Sequence, residues 1–392
     1  MERIIQFQQY ESGVDYMKTY KMVNLGEIIT PAKIVKCGDG EYPVLSMTMH
    51  NGLVFQDDKF KKEIASSDKS NYKVVYKNQL VISFPIDEGV LAAQRITDAG
   101  IVSPAYGIWD IDQSRIRPEY LEMALRSERA LQYYKANLRG STARRRSLPT
   151  PTLLAFEVPL PSIEEQEKVL ETIHIAEKMV ELYNNESEQL DNLIKARFVE
   201  LFGLPVSNTK RWPTESMEEV APAVNYKGDF DEEVWLLNLD MVEAQTGRIL
   251  DYLIVTEDEV GNSTCTFDTS NVLYSKLRPY LNKVVIPDRC GYATSEMVPL
   301  QPVKTKINRE YLAFMLRSDE FVNMINEKVA GAKMPRVSMG DFRKFDVPVP
   351  PMDIQEQFAD FVKQVDKSKV VVQKGLSESM IMLSSLRQDY FG

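Results

Sequence analysis

Histidine and cysteine are scarce in this chain of 392 residues. It holds two histidines, His50 and His174, and three widely spaced cysteines, Cys37, Cys265 and Cys290. So few imidazole and thiol groups argue against a structural zinc site and against a Cys–His nucleophile pair. An odd number of distant cysteines is typical of reduced thiols, so the sequence predicts a cytoplasmic protein.

The chain also lacks a long apolar run. No stretch approaches the roughly 18 apolar residues that a membrane span needs, and the N-terminus has no apolar core of signal-peptide length. We therefore expect no membrane partner. With 44% hydrophobic and 27% charged residues, the composition is that of a globular protein with room for two or three domains.

The signature motifs of several enzyme classes are missing as well. The sequence has no Gly-x-x-x-x-Gly-Lys-Ser/Thr phosphate loop and no dinucleotide-binding Gly-x-Gly-x-x-Gly. It has neither the Asn/Asp-Pro-Pro-Tyr/Phe segment of amino-methyltransferases nor a Pro-Asp…Asp/Glu-x-Lys nuclease constellation in a strand context. These absences favour a recognition or scaffold protein with no catalytic residues, no metal site and no cofactor of its own.

The most informative feature that is present is an internal repeat. Residues 158–167 (VPLPSIEEQE) and 347–356 (VPVPPMDIQE) carry similar text 189 positions apart, and each begins a long helical pattern that ends on Phe-Gly, at 202–203 and 391–392. Glu-Tyr-Leu and Leu-Arg-Ser recur upstream at an offset of 191. So small a drift over half the chain indicates duplicated domains.

The two long segments predict a pair of helices. Residues 163–201 and 352–390 place apolar residues at i and i+4 in every seven, which makes one stripe on a helix. Five such heptads are a coiled-coil length, and if the helices pair, the second must run back antiparallel to the first. About 38 helical residues at roughly 1.5 Å each span about 57 Å, enough to hold two DNA-reading modules one helical turn apart. The alternative is that each helix packs on its own domain. The residues predicted at the helix–helix interface are Val169, Ile173, Val180, Tyr183, Leu190, Ile194, Phe358, Val362, Val365, Val372, Leu376, Leu383 and Leu386.

The globular halves have mixed patterns. Short strand-like runs bounded by turn residues, such as 80–84 and 283–286, occur together with helical patterns at 118–137 and 308–329. We therefore predict an α+β fold: two similar domains separated by two long antiparallel helices that form a coiled coil, with pseudo-two-fold symmetry.

A net charge of −10 is unusual for a nucleic-acid binder, but the charge is unevenly distributed. Acidic residues dominate 163–203, with 4 Lys+Arg against 10 Asp+Glu, and 204–270, with 4 against 14. Residues 1–150 hold 21 Lys+Arg against 18 Asp+Glu, and residues 271–350 hold 13 against 8. A local basic face on an acidic protein can still bind phosphate.

Basic loops occupy matching places in the two halves. Guanidinium groups beside Ser and Thr hydroxyls suit phosphate contact and the reading of guanine edges. The first-half loop supplies the candidate DNA-binding residues Arg139, Ser141, Arg144, Arg145, Arg146 and Ser147, and its counterpart supplies Lys333, Arg336 and Ser338. A second cluster in the later half supplies Lys276, Arg278 and Lys283. The first half lacks the cations of that second cluster, so we expect the halves to read different sequences. The alternative is that these are solvated loops.

Four features together resemble a known family. They are Pro-Leu-Pro-x-x-x-Glu-Gln before a long helix (159–166), the Leu-Phe-Gly that ends it (201–203), the segment YSKLRPYLNK (274–283), and Trp-Pro (212–213) after a short loop. Over essentially its whole length, the chain resembles the specificity (S) subunit of Type I restriction–modification systems.

The resemblance implies a domain plan and a set of partners. Residues 1–160 and 204–350 would be target-recognition domains, 161–203 the central conserved helical spacer, and 351–392 the C-terminal conserved helix. The chain would bind a bipartite, asymmetric site in double-stranded DNA without catalysis of its own. It would dock two methylation subunits that carry S-adenosylmethionine, and restriction subunits would join through them. Two alternatives stay open: a coiled-coil scaffold whose globular ends bind proteins, and a specificity subunit that serves a fused restriction–methylation polypeptide.

Overall fold

The computed structural model describes residues 20–49, 51–59, 69–139, 147–230, 232–329 and 334–392, and these form an α+β structure. The helices are α1 (Gln56–Lys59), α2 (Pro118–Leu125), α3 (Glu128–Asn137), α4 (Thr150–Leu154), α5 (Ile163–Phe202), α6 (Met217–Val220), α7 (Arg309–Arg317), α8 (Asp319–Lys328), α9 (Met339–Arg343) and α10 (Met352–Phe391).

The strands are short, as the runs of apolar residues between turn residues predict. In chain order they are β1 (Met22–Asn24), β2 (Ile29–Pro31), β3 (Val35–Lys36), β4 (Leu45–Thr48), β5 (Gly52–Phe55), β6 (Lys73–Tyr76), β7 (Leu80–Ile82), β8 (Leu91–Ala93), β9 (Ala99–Val102), β10 (Gly107–Ile111), β11 (Glu157–Pro159), β12 (Thr214–Ser216), β13 (Glu233–Leu237), β14 (Leu253–Thr256), β15 (Thr264–Phe267), β16 (Val272–Ser275), β17 (Val284–Val285), β18 (Gly291–Thr294), β19 (Met297–Leu300) and β20 (Asp346–Pro348).

The chain folds into two compact units. Unit 1 comprises the described residues of 1–182 together with 375–392, and unit 2 comprises those of 183–374. Each unit therefore contains one globular half, the beginning of one long helix and the end of the other. The domain boundaries predicted from the sequence follow the ends of the long helices, whereas the compact units divide these helices near their middle.

Unit 1 is built around an antiparallel sheet of order β2-β10-β7-β8, in which Trp109 lies opposite Leu80 on one side and Pro31 on the other. A second antiparallel sheet has the order β3-β6-β9, and β4 pairs with β5 and β1 with β11. Helices α2 and α3 contribute the buried rings of Tyr120 and Tyr134 to a core that also contains the start of α5.

Unit 2 has a sheet of order β14-β13-β18-β15 and a second sheet of order β17-β16-β19. The β13–β18 pair is parallel, and the other pairs in these two sheets are antiparallel. The rings of Tyr274 and Phe342 stack at 4.7 Å in its core, and Phe321 of α8 packs on Phe342. The start of α10 joins the same core through Phe358.

The long helices run antiparallel within each unit. In unit 1, Arg387 of α10 pairs with Glu177 of α5 at 2.7 Å. In unit 2, Lys369 pairs with Asp191 at 2.5 Å, and Phe358 packs edge-on against Phe198 at 5.5 Å. The predicted α+β fold, with two similar units and a pair of long antiparallel helices, is confirmed.

The repeated Phe-Gly pairs end the long helices and attach them to the globular halves. Phe391 is buried on Tyr120 in unit 1, with ring centroids 5.1 Å apart, and Phe202 is buried on Tyr311 in unit 2 at 4.6 Å. The glycines that follow, Gly392 and Gly203, have φ of +87° and +76°, a left-handed conformation that glycine adopts without steric cost. The repeated Tyr and the repeated Phe-Gly are thus partners in the fold.

Candidate nucleic-acid interface

The segment between β16 and β17 of unit 2 is a tightly held turn. A 3-10 helix, Pro279–Leu281, is flanked by Arg278 and Asn282, whose φ angles are both +50°. Side chains other than glycine adopt this left-handed region rarely and at a cost in strain. The buried amide of Asn282 donates to the carbonyl of Arg317 at 2.9 Å, and the Arg278 N–H donates to the carbonyl of Pro335 at 2.8 Å. These bonds hold the turn in its strained form.

The same segment joins the two clusters that the sequence singles out in the second half. Leu277 lies opposite Arg336 in an isolated antiparallel bridge. The N–H of Val337 donates to the carbonyl of Lys276 at 2.9 Å, and the Arg278 bond described above flanks the bridge on the other side. Lys276, Arg278 and Arg336, some 60 positions apart in the chain, therefore lie on one short two-stranded segment.

The cations of this segment differ in their partners. Arg336 pairs with Glu296 at 2.5 Å, while the second carboxylate oxygen of Glu296 is buried with no hydrogen-bond partner in the part of unit 2 that the structure describes. Arg278 is exposed, and no ion pair involves it among the described residues. Arg278 is therefore the cation of this segment best placed to meet a phosphate.

Two predicted DNA-binding residues of unit 2 have structural partners. The Lys283 ammonium donates to the Leu239 carbonyl at 2.5 Å, and burial lowers the pKa of this lysine. The Ser338 hydroxyl accepts from the Asp341 N–H at 3.4 Å and caps the first turn of α9. Lys283 is thus directed into the fold, whereas Ser338 stays exposed at the helix start.

In unit 1, two predicted DNA-binding residues pair with each other. Arg139 and Ser147, both exposed, exchange two backbone hydrogen bonds of 3.0 Å and therefore lie side by side. The remaining predicted loop residues lie outside the described residues: Ser141, Arg144, Arg145, Arg146 and, in unit 2, Lys333.

The equivalent turn of unit 1 follows β7. There Pro85 precedes a 3-10 helix, Ile86–Glu88, which ends at Gly89 with φ +73°. This 3-10 helix packs on α3, as the 3-10 helix of unit 2 packs on α8. Phe84, directly before the proline, is 61% exposed, and Tyr280, directly after the proline in unit 2, is 47% exposed. The sequence prediction missed both aromatics, although an aromatic beside a proline after a buried strand is a usable signal.

The glutamine of the Glu-Gln motif fastens the start of α5 to unit 1. Gln166 is fully buried. Its Oε1 accepts from the Arg117 N–H at 2.8 Å. Its Nε2 donates to the carbonyls of Arg115, at 2.9 Å, and Pro161, at 3.0 Å. One side chain thus joins the helix start, the proline segment before it and the segment that begins α2.

Unit 2 repeats this arrangement. Gln355, also fully buried, accepts from the Asn308 N–H at 2.9 Å and donates to the carbonyls of Lys306, at 3.0 Å, and Pro350, at 2.8 Å. The glutamine of the first Glu-Gln pair recurs as Gln355, where Ile354 precedes it, and this shared glutamine fixes each long helix to its globular half.

The residues predicted at the helix–helix interface are all buried or half-buried within their own unit. Seven are buried: Val169, Ile173, Ile194, Phe358, Val362, Val365 and Val372. The other six are half-buried: Val180, Tyr183, Leu190, Leu376, Leu383 and Leu386. A second, exposed apolar line runs along α5 in unit 1 through Ile175, Met179 and Leu182.

Membrane-spanning helices and metal-binding clusters are both absent from the residues that the structure describes. No helix there has both the length and the apolar composition required to cross a bilayer. In those same residues, no group of three or more His, Cys, Asp and Glu side chains is arranged to hold a metal ion.

Comparison with known proteins gives a family match in the second half of the chain. Residues 244–379 match the model of the Type I restriction modification DNA specificity domain. The Type I restriction enzyme EcoDI specificity subunit of Escherichia coli is 26% identical over 147 residues, which make up 38% of this chain and 32% of that protein. The match therefore spans about a third of the length of this curated relative.

Solved structures share the fold. A chain from a study of complex assembly and conformational transition in a type I R-M system superposes with a TM-score of 0.57 at 13% identity, covering 95% of this chain and 97% of that one. The crystal structure of a Type-I restriction-modification system S subunit from M. genitalium gives 0.54 at 14% identity, covering 95% and 96%. Residues 244–379 thus carry a type I DNA specificity domain within a fold shared with type I specificity subunits, and the resemblance of this chain to that family is confirmed.

Proposed function

We propose that this chain is the non-catalytic DNA specificity subunit of a type I restriction–modification system and recognises a bipartite, asymmetric site in double-stranded DNA. One observation carries the proposal: two units built by equivalent contacts present unlike side chains at equivalent turns. Unit 2 presents the cation Arg278, and unit 1 presents the apolar ring of Phe84. A shared framework with different surface chemistry suits the reading of two unlike half-sites.

Charge supports the assignment of DNA to unit 2. Residues 271–350 hold 13 Lys+Arg against 8 Asp+Glu in a chain of net charge −10. Lys276 and Arg278 lie in this region, on the segment that pairs with Arg336. Three cations on one short segment of an acidic protein provide a local phosphate-binding surface.

Selection from a randomised duplex pool with the full chain tests the proposal. We expect a split motif, two defined half-sites with a fixed gap. Replacing Arg278 with Ala should weaken binding, and the slope of log K against log salt should fall by about 0.9 because one phosphate contact is lost. Arg289→Ala is the matched control, because it removes an exposed arginine of the same unit that already pairs with Asp288. A scaffold protein would instead select no motif and bind DNA with little dependence on salt.

Methyl transfer and restriction would belong to partner subunits. We infer that two methylation subunits, carrying S-adenosylmethionine, dock on this chain and that restriction subunits join through them. The exposed apolar line on α5 supports a protein partner, since Ile175 and Leu182 are 56% and 57% exposed at helical spacing. The chain alone should transfer no methyl group to DNA. Ile175→Ser with Leu182→Ser should reduce co-purification of a co-expressed methylation subunit, and Glu181→Ser, an exposed position on another face of the same helix, should not.

We also propose a cytoplasmic location, where the DNA substrate lies and thiols stay reduced. Cys37 is buried, Cys265 is half-buried and Cys290 is exposed, and none forms a disulfide. Tagging the chain with a fluorescent protein in cells would test this location; a periplasmic or membrane signal would contradict it.

A further inference from the structure

Each unit exposes one aromatic ring on the turn that follows a central buried strand. Phe84 comes two residues after β7, and Tyr280 comes five residues after β16. Both flank a proline that leads into a 3-10 helix, and this 3-10 helix packs on the equivalent helix of its unit, α3 or α8. Large aromatic side chains are normally buried in a core or an interface, so an exposed ring on each of these turns, before the proline in unit 1 and after it in unit 2, calls for an explanation.

The turn of unit 2 is rigid around Tyr280. Gln245 makes two hydrogen bonds to this turn. Its backbone N–H donates to the Leu281 carbonyl at 2.9 Å, and its side-chain amide donates to the Tyr280 carbonyl at 2.9 Å. The left-handed residues on either side, Arg278 and Asn282, are strained. The hydrogen bonds from Gln245 hold the backbone from which the Tyr280 side chain extends.

The turn of unit 1 is held in a comparable way. The N–H of Ile86 donates to the Phe84 carbonyl at 2.8 Å, and the N–H of Ser83 donates to the Val90 carbonyl at 3.0 Å. Gly89 closes the turn with φ +73°. Backbone bonds therefore flank the exposed phenylalanine on both sides.

Each aromatic turn has an exposed arginine on or near its supporting elements. In unit 1, the Phe84 turn packs on α3, and the exposed Arg139 follows this helix in the sequence. In unit 2, the exposed Arg278 directly precedes the 3-10 helix that contains Tyr280, and its N–H donates to the carbonyl of Pro335. Met334, next to Pro335, is 60% exposed. Apolar side chains flanked by cations are the arrangement with which proteins enter a DNA base step while binding its phosphates.

We propose that Phe84 and Tyr280 are DNA-contacting wedges, one for each half-site, whose rings insert between neighbouring base pairs and unstack them. The inference rests on the proposed function. It adds a role for that function, because an enzyme that modifies a base must take it out of the stack. A duplex already unstacked by the specificity subunit needs less energy for that step.

Fluorescence of 2-aminopurine tests the wedges directly. The base is placed at successive positions of the duplex that the full chain selects from a randomised pool. We expect its emission to rise at one step in each half-site. Phe84→Ala should abolish the rise in one half-site, and Tyr280→Ala in the other. Tyr280→Phe should keep it, because the ring remains.

Affinity provides the second readout. Loss of one inserted ring should weaken binding of the selected duplex about 10-fold to 100-fold, from the usual strength of aromatic–base stacking. The controls are Tyr76→Ala in unit 1 and Tyr252→Ala in unit 2, exposed aromatics away from these turns, which should change affinity less than about 2-fold. Because both wedge side chains are largely exposed, the variants should fold, and circular dichroism checks this.

The outcomes separate the two ideas. If the full chain selects a split motif and Phe84→Ala and Tyr280→Ala behave like their controls, the wedge proposal is overturned and the proposed function stands. If no 2-aminopurine position brightens in a duplex that binds specifically, the wedge proposal is again overturned. If the chain selects no motif at all, the proposed function itself fails.

Discussion

Replacing Gln166 with Leu should detach the start of α5 from unit 1. Leu has nearly the volume of Gln, so the packing is roughly preserved while all three hydrogen bonds of the side chain are lost. The Arg117 N–H and the carbonyls of Arg115 and Pro161 would then remain in a fully buried site without these partners. The substitution thus isolates the hydrogen bonds from the volume of the side chain.

The expected size of the effect follows from these three groups. A buried polar group without a partner costs about 1–3 kcal/mol, and because Arg115 and Arg117 are only half-buried, the lower part of that range, about 1–2 kcal/mol for each of the three groups, applies here. Burial of the apolar Leu side chain offsets about 1–2 kcal/mol of the sum. We expect a net loss of about 2–4 kcal/mol, which is a large part of the roughly 5–15 kcal/mol that stabilises a typical domain.

Two measurements check this loss. Urea unfolding of the full chain gives the change in free energy of unfolding, and amide hydrogen exchange shows where it acts. Exchange in residues 163–173 and 115–121 should accelerate about 30-fold to 1,000-fold if the opening is local. Gln355→Leu should produce a similar loss in unit 2, because its three bonds are equivalent.

A matched control is available on the same helix. Gln189 is exposed in the middle of α5, so Gln189→Leu should change stability by less than about 0.5 kcal/mol. If Gln166→Leu cost no more than this control, the buried glutamine would not be the fastening that the geometry indicates, and the reasoning would be wrong.

Three further predictions concern other parts of the fold. Phe391→Ala should lower the free energy of unfolding by about 3–5 kcal/mol, because it empties a buried site; a loss under 1 kcal/mol in urea would count against the packing described. Gly203→Ala should lower the melting temperature, since φ is +76° and the new Cβ would collide with the Thr209 hydroxyl, while Gly340→Ala, with its nearest atom at 3.8 Å, should not. Lys283→Met should leave the Kd for the selected duplex within about 2-fold, because the ammonium is bonded to the Leu239 carbonyl. A large loss of affinity would instead indicate that this lysine contacts DNA.

Local sequence patterns predicted the elements and their duplication. The heptad stripe identified side chains that the structure buries or half-buries, such as Ile194 and Val365. The recurring Leu-Arg-Ser has a local reason for its serine: Ser127 caps α3 and Ser318 caps α8, each accepting from a backbone N–H at 3.3 Å. Capping and helical periodicity act over a few residues, so the sequence reveals them.

Contacts between distant segments were not predictable from these patterns. The arginine of the second Leu-Arg-Ser, Arg317, is half-buried, donates to the Val284 carbonyl at 3.0 Å and has its pKa lowered to about 10 by desolvation of the guanidinium. Its sequence neighbours give no sign of this partner. In the same way, the sequence predicts that Lys283 is a surface cation, whereas in the structure its ammonium donates to the Leu239 carbonyl. Partner choice depends on which strands adjoin, and one sequence does not specify that.

Several buried residues of the repeat are the same in the two units, whereas those exposed at the equivalent turns differ. Buried residues that hold the framework have the same identity in both: Gln166 and Gln355 at the helix starts, and the tyrosines that receive the Phe-Gly ends. Exposed residues at the equivalent turns differ, with Phe84 beside the proline in unit 1 and Arg278 in unit 2. A change in a buried hydrogen-bonded residue costs stability, whereas a change in an exposed turn costs little. Such a division lets two copies of one framework acquire different half-sites, and it accounts for a bipartite site that is asymmetric although the two units share one architecture.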